Sequence, residues 1–302
     1  MMSEVIVIEQ LQKVLSKKII LDNINVIIKE NECIALLGKN GAGKSTLIKI
    51  ILGNYTMSSG SIENRYSKSE IGYLPQKTSF PDDLKVSELL QFVSSFSTNP
   101  LSVDKINDVL GFTEEQLKQF ANTLSGGQQR ILDFCLSIIN QPKLLIIDEP
   151  TAGMDTLTRK RFWDIIQRLK ANKTTILFTT HYIEEVDYCA DRVLLLDRGK
   201  IIADDTPYRL RIMERKKILM IELQSYQRYQ HKLKKVIQKH DIFLNEKKSL
   251  VELHFSFDQT VSIIKDLITI DFPLDDIELM NTSLLNSIFN GIDSIRKEDA
   301  NE

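Results

Sequence analysis

An α/β core built on a mostly parallel sheet, carrying an antiparallel β subdomain and a helical insert and followed by a small α+β domain, is the fold this sequence predicts. Three observations predict it. The runs "ECIALLG" (32–38), "KLLIIDEP" (143–150) and "TTILFTTH" (174–181) are almost unbroken aliphatic stretches, the texture of strands covered on both faces. Amphipathic segments separate them, as expected where crossover helices cover a parallel sheet. Beyond residue 210 the texture changes and no glycine-rich loop recurs.

The first strands differ in kind from those three. "VIVIEQLQKV" and "IILDNINVIIKE" alternate apolar with polar residues, as a half-exposed antiparallel hairpin does. After the first buried strand comes a glycine-rich loop and then "TLIKIILG", a helical segment. Residues 77–123 read as a helical insert, because "VSELLQFVSSF" and "VDKINDVLGF" repeat apolar residues at spacings of three and four. The first domain is placed at 1–210. In 211–295, "KKILMIELQ", "DIFLNE", "SLVELHFS" and "DIELMN" read as strands, while "YQRYQHKLKKVIQKH" and "TVSIIKDLI" read as helices. That succession is the β-α-β-β-α-β order of a split βαβ unit, with "SLLNSIFNGI" as a closing helix. The tail "RKEDANE" (296–302) is expected to be disordered.

Composition narrows the partners. With 39 basic and 41 acidic side chains the net charge is −2, which recommends neither nucleic acid nor an anionic membrane surface. Lys232, Lys234, Lys235 and Lys239 share a helix with acidic stretches nearby and read as a solvated face. Three separated cysteines, Cys33, Cys135 and Cys189, fit reduced core residues better than disulfides or a zinc site. No apolar run approaches the length of about 18 to 20 residues that spans a bilayer, and the start lacks the pattern of a signal peptide. A membrane role is therefore expected through a partner.

The chemistry begins at "GKNGAGKST" (38–46), which satisfies G-x-x-x-x-G-K-[ST] between a strand and a helix. Gly38, Gly41 and Gly43 allow backbone N–H groups from Asn40 through Ala42 to turn towards an anion, and the following helix N-terminus adds partial positive charge. Lys44 would meet the β and γ phosphates of a nucleotide. Ser45 is placed to ligate Mg²⁺, and Thr46 to bond a phosphate one step back. A P-loop NTPase core follows from this context.

Asp148 and Glu149 end the second aliphatic strand, and two adjacent carboxylates there are costly unless a cation or donor faces them. Opposite a P-loop, Asp148 suits a metal's water shell, and Glu149 can orient or deprotonate an attacking water. A second anion site is written into "LSGGQQR" (124–130): Ser125 Oγ and the N–H groups of Gly126 and Gly127 open a helix, with Gln128 alongside.

With that motif lying between the P-loop and the acidic strand end, the chain resembles the nucleotide-binding subunit of an ABC transporter, over residues 5 to about 210. The resemblance implies further roles. Gln76 in "IGYLPQ" matches the glutamine that ligates Mg²⁺ and senses the nucleotide. Asp155 in "AGMD" matches the aspartate at the subunit seam, and His181 in "FTTHYIEE" the histidine that contacts the γ phosphate. It also implies that Ser125 to Gln128 serve ATP bound to a partner's P-loop, so that two ATPase subunits, identical or closely related, close head to tail over two ATP molecules. A separate transmembrane permease is the expected second partner, and the inner face of the cell membrane, on the cytoplasmic side, the expected location. The short insert and an ending matched at Ser283, Leu284 and Phe289 look like exporters of drugs, peptides or bacteriocins; an importer ATPase, or a soluble relative acting on ribosomes or DNA, stays open.

Two departures stand out. Where the family places an aromatic against adenine, this chain has Leu15, which covers a ring face without a π surface. After the signature, Ile131 and Leu136 replace arginines, which predicts altered packing of that helix. A His181, Glu184 and Glu185 metal cluster would lack further ligands.

Overall fold

In the computed structural model residues 3–151, 153–213 and 216–281 are described. The chain divides into two units, Met1–Pro207 and Tyr208–Glu302.

In the first unit, strands β1 (Glu4–Leu15) and β2 (Lys18–Lys29) pair antiparallel around Ser16 and Lys17. Both turn residues have positive φ, 48° and 66°, the backbone hand of a tight two-residue hairpin. β3 (Cys33–Leu37) follows, with every residue buried, then helix α1 (Lys44–Ile51) and β4 (Ser59–Asn64), which adds to the free edge of β1. The alternation read in β1 and β2 is the burial seen: Ile6, Ile8, Leu11, Leu21 and Ile24 pack with Ile34, Leu36, Ile48 and Ile51 into one core. That core clamps the hairpin onto α1.

β5 (Ile71–Leu74) leads into the helical insert, α2 (Val86–Phe96), α3 (Val103–Leu110) and α4 (Glu114–Lys118). Caps set its short helices: Ser102 Oγ accepts from Lys105 N, Gly111 closes α3 at φ 59°, and Thr113 forms a capping box with Gln116. The chain returns through α5 (Gly126–Ile138), β6 (Leu144–Asp148), α6 (Thr156–Ala171), β7 (Thr175–Thr180), α7 (Ile183–Cys189), β8 (Arg192–Asp197) and β9 (Lys200–Asp205). The main sheet has the order β5-β6-β7-β3-β8-β9, parallel except for β9.

This topology assembles the site. β6, β7 and β3 are neighbours, and because they are parallel their carboxyl ends share one edge. Register levels them, with Leu37 opposite Thr180 and Asp148 opposite Thr179. Three motifs far apart in sequence therefore leave the sheet side by side. Ile131, at a departure from the family pattern, is buried in the core. Cys33, Cys135 and Cys189 are all buried and free.

After α8 (Pro207–Met213), the second unit runs β10 (Lys216–Glu222), α9 (Leu223–Lys239), β11 (Phe243–Glu246), β12 (Leu250–Ser256), α10 (Thr260–Thr269) and β13 (Ile277–Asn281). Its sheet is antiparallel in the order β11-β12-β10-β13, which is a split βαβ arrangement. Leu219, Ile221, Val251, Leu253 and Phe255 from the strands meet Tyr226, Leu233, Val236, Ile263 and Leu267 from the helices. "SLLNSIFNGI" and the tail 296–302 lie outside the described residues. Among the described residues no helix is long and apolar enough to cross a membrane.

Candidate functional site

The loop between β3 and α1 is pressed against its neighbours. A Cβ on Gly38 would come within 2.4 Å of Leu196 O, and one on Gly43 within 2.8 Å of Leu21 Cδ2. Gly41 and Gly43 also take φ of 82° and 111°, conformations that side chains resist. Gly43 caps α1, so its helix N-terminus opens into the loop. Asn40 and Gly41 are exposed, Ala42 is buried, and Ser45 and Thr46 are half-buried on the first turn.

Lys44 is almost wholly buried, and its Nζ donates to Gly38 O at 2.7 Å and Lys39 O at 3.2 Å. The same ammonium lies 3.3 Å from Glu149 Oε1. Glu149 is the hub of the site. Gln76, two residues past β5, donates Nε2 to Glu149 Oε2 at 2.9 Å, and His181 Nδ1 stands 3.8 Å from Glu149 Oε1.

Glu149 occupies the left-handed region at φ 45°, strained backbone for a side-chain-bearing residue. Its N–H donates to Thr179 Oγ1 at 2.8 Å, and that hydroxyl donates in turn to Asp148 Oδ1 at 2.6 Å. Asp148 is 3% exposed, and Thr179 occupies one of its oxygens. His181 Nδ1 is buried with no hydrogen-bond partner, since 3.8 Å is too long for one. A buried orphan nitrogen beside a half-buried carboxylate that also takes a buried ammonium fits a site completed by a polar ligand. Glycine cradle, buried cation, adjacent hydroxyl Ser45 and carboxylate Asp148 together fit a triphosphate with a divalent ion.

Ser125, Gly127 and Asp155 gather elsewhere, where the N-termini of α5 and α6 meet. Ser125 Oγ accepts from Gln128 N at 3.4 Å, and Gln128 Oε1 accepts from Ser125 N at 3.0 Å. Gln128 thus closes a capping box on Ser125 instead of standing free beside it. Nothing lies within 4 Å of the space a Cβ would fill on Gly126, while Asp155 Oδ2 is 3.9 Å from that of Gly127. Asp155 caps α6 through Leu157 N and Thr158 N, both at 3.0 Å, and takes the Thr158 hydroxyl at 2.6 Å. That hydroxyl, followed by the Thr158 N–H, holds the Asp155 carboxyl below the usual range. Leu15 closes β1 with 41% of its surface exposed.

Sequence reasoning passed over Arg130 and weighed Glu185 only as a weak metal ligand. Arg130, last in the "LSGGQQR" stretch, is 4% exposed and donates Nε to Pro150 O at 2.9 Å. One terminal nitrogen reaches Asp148 O at 3.0 Å and Glu149 O at 3.2 Å; the other reaches Thr78 Oγ1 at 3.2 Å and Pro75 O. Burial pulls its guanidinium down from the ordinary arginine value, while Asp133 and Asp148 oppose the shift. Glu185 is equally buried and accepts from Thr180 Oγ1 at 2.5 Å and from Thr151 Oγ1. It therefore braces the ends of β6 and β7 rather than joining a metal cluster, and among the described residues no metal-binding group of His, Cys, Asp and Glu forms. Arg130 depends on backbone acceptors remote in sequence, and Glu185 on a hydroxyl donor 34 residues away, so no local pattern signals either role.

Known proteins share this architecture. The ABC transporter family profile matches residues 21–152. Nod factor export ATP-binding protein I of Ralstonia nicotianae is 31% identical over 216 residues, covering 67% of each chain. The linearmycin resistance ATP-binding protein of Bacillus subtilis is 33% identical over 211 residues, covering 66% of this chain and 68% of its own. Among solved structures, an ATP-binding subunit of an ABC transporter aligns with a TM-score of 0.63 at 24% identity, over 69% of this chain and 92% of its own. A dimeric bacterial ABC transporter cassette aligns at 0.59 and 22% identity, over 67% and 98%. The structural matches show the fold, and the sequence matches, each reaching two thirds of a relative's length, carry the assignment further: this chain belongs to the ABC transporter ATPase family.

Proposed function

We propose that this chain is the ATP-hydrolysing subunit of an ABC exporter, closing as a dimer over ATP and driving a separate membrane-spanning permease from the cytoplasmic face. The observation that carries it is the convergence of Lys44, Gln76 and His181 on Glu149 at one edge of the sheet. Export, rather than import or a soluble role, is favoured by the names of the relatives, Nod factor export and linearmycin resistance ATP-binding proteins. The dimer, of identical or closely related subunits, is favoured by the exposed Ser125–Gly126 helix start, whose donors open away from their own chain's packing.

In this reading the backbone of Asn40 to Gly43 cradles the phosphates, and Lys44 gives up its contact with Glu149 to neutralise the β and γ oxygens. That exchange frees the Glu149 carboxylate to orient an attacking water and take its proton. His181 Nδ1, now without a partner, donates to or accepts from the γ phosphate or the water. Mg²⁺, held through Ser45, Gln76 and Asp148, would supply the charge that stabilises the departing phosphate oxygens. Ser125, Gly126, Gly127 and Gln128, with Asp155 at the seam, complete the partner's site.

Glu149→Gln tests the reading. ATP turnover is expected to fall at least about 100-fold while nucleotide still binds, trapping an ATP-bound dimer on size-exclusion chromatography. Hydrolysis at the wild-type rate would refute it. Lys44→Ala should weaken ATP binding by about tenfold or more, since a charge-assisted contact is lost. Co-purification from membranes would identify the permease.

A further inference from the structure

The guanidinium of Arg130 fills five acceptors, and four are backbone carbonyls. Three of those carbonyls, of Asp148, Glu149 and Pro150, belong to the turn that leaves β6. The fourth, of Pro75, precedes Gln76, whose amide holds the Glu149 carboxylate. The fifth acceptor, Thr78 Oγ1, passes its own proton to Asp133 Oδ2 at 2.7 Å. The nearest carboxylate to the cation is Asp133, at 4.0 Å. Thus this buried cation gathers carbonyls at hydrogen-bond distance, with its acidic neighbour only at 4.0 Å.

Geometry explains why arginine stands here. Only its planar fork offers donors in several directions at once; a lysine ammonium is a compact point donor. The turn it grips is the one where Glu149 sits at φ 45°, a conformation that persists only when its surroundings hold it. Arg130 also lies on α5, five residues from its cap Ser125, so about 7 Å of helix separates the two.

We infer that Arg130 is a positioning residue for hydrolysis, fixing Glu149 by clamping the 148–150 turn and the Pro75–Gln76 segment together, and that it thereby bolts the signature helix to the chemistry of its own chain's ATP site. The inference rests on the reading of Glu149 as the water-orienting residue. The helix whose start serves one ATP site would then be rigidly tied, within the same chain, to the hydrolytic carboxylate of the other. Closure at one site would then adjust the geometry at its neighbour through this side chain.

The test compares Arg130→Lys, Glu149→Gln and the double variant in the full chain, measuring ATP turnover, KM, melting temperature and the ATP-bound dimer. Arg130→Lys should lower kcat by about 10- to 100-fold, the loss expected from a misplaced catalytic group, while KM stays within about threefold and the ATP-bound dimer still forms. Acting through Glu149, it should add nothing further in the double variant. Arg130→Gln is carried alongside so that a lysine variant that fails to fold does not end the experiment. Unchanged kcat, loss of the ATP-bound dimer together with turnover, or a double variant slower than Glu149→Gln by the full Arg130→Lys factor would overturn the inference. Wild-type turnover in Glu149→Gln alone would instead overturn the underlying reading.

Discussion

Single residues in this molecule are constrained by backbone conformation as much as by chemistry. Gly43 combines φ 111° with Leu21 Cδ2 at 2.8 Å from an added Cβ, so Gly43→Ala faces strain and overpacking together. A loss of about 3 kcal/mol is expected, seen as a lowered melting temperature and a weaker nucleotide affinity. Glu149 is strained in the opposite sense, since it needs its side chain and is held in the left-handed region by Thr179 and Arg130. Leu15, 41% exposed at the end of β1, is the residue that the family resemblance sets in place of an aromatic. Leu15→Tyr should raise ATP affinity by about two- to tenfold, the worth of a ring contact, with titration of a fluorescent nucleotide as the measurement.

Helices α5 and α6 are capped by Ser125 and Asp155, and their packing decides where those residues point. Phe134 of α5 meets Phe162 of α6 edge to face at 4.7 Å, and Trp163 continues the contact to Phe178 of β7 at 5.1 Å. Phe162 is fully buried, so Phe162→Ala should cost about 3 to 5 kcal/mol and lower the melting temperature by about 10 °C. At the start of α6, the depressed Asp155 carboxyl means its cap contributes above the ordinary Asp value of about 3.9 and is lost as pH falls through the folded value. Asp155→Asn should therefore flatten the decline in melting temperature below about pH 4. On α5, burial pushes the Cys135 thiol up to about 12, and with Cys33 and Cys189 also buried, alkylation at neutral pH should label the chain only after unfolding.

Across the whole molecule, the two clusters of candidate site residues differ in how they are closed. The Lys44–Glu149 cluster is closed by its own chain, whereas the start of α5 is exposed and capped only by itself. If that start serves a partner, mixing Ser125→Arg with Lys44→Ala chains should restore one competent site per mixed dimer, giving measurable hydrolysis where each variant alone gives none. Absence of recovery in a purified mixed dimer would contradict the shared-site arrangement. The division at Pro207 carries a further expectation: residues 1–207 alone should melt cooperatively and bind ATP, because the core around Ile34, Leu36 and Ile48 is formed within them.

The sequence by itself determined which segments are buried strands and where the glycine-lysine loop falls between strand and helix, because aliphatic runs and the glycine-lysine spacing are local and act through the backbone they belong to. β3, β6 and β7 were legible for that reason, as were the places of Lys44 at a helix start and of Asp148 and Glu149 at a strand end, and the strand-helix order of the second unit. Only the tertiary structure decided what those residues touch. That Lys44, Gln76 and His181 converge on one carboxylate follows from the parallel register of β3, β6 and β7 and from β5 beside β6. That Arg130 and Glu185 brace the same edge depends on the carbonyls of residues 148 to 150 and on the Thr151 hydroxyl, which folding brings to them. Backbone acceptors carry no letter in a sequence, so a side chain that works by gathering them becomes visible only once the chain has folded around it.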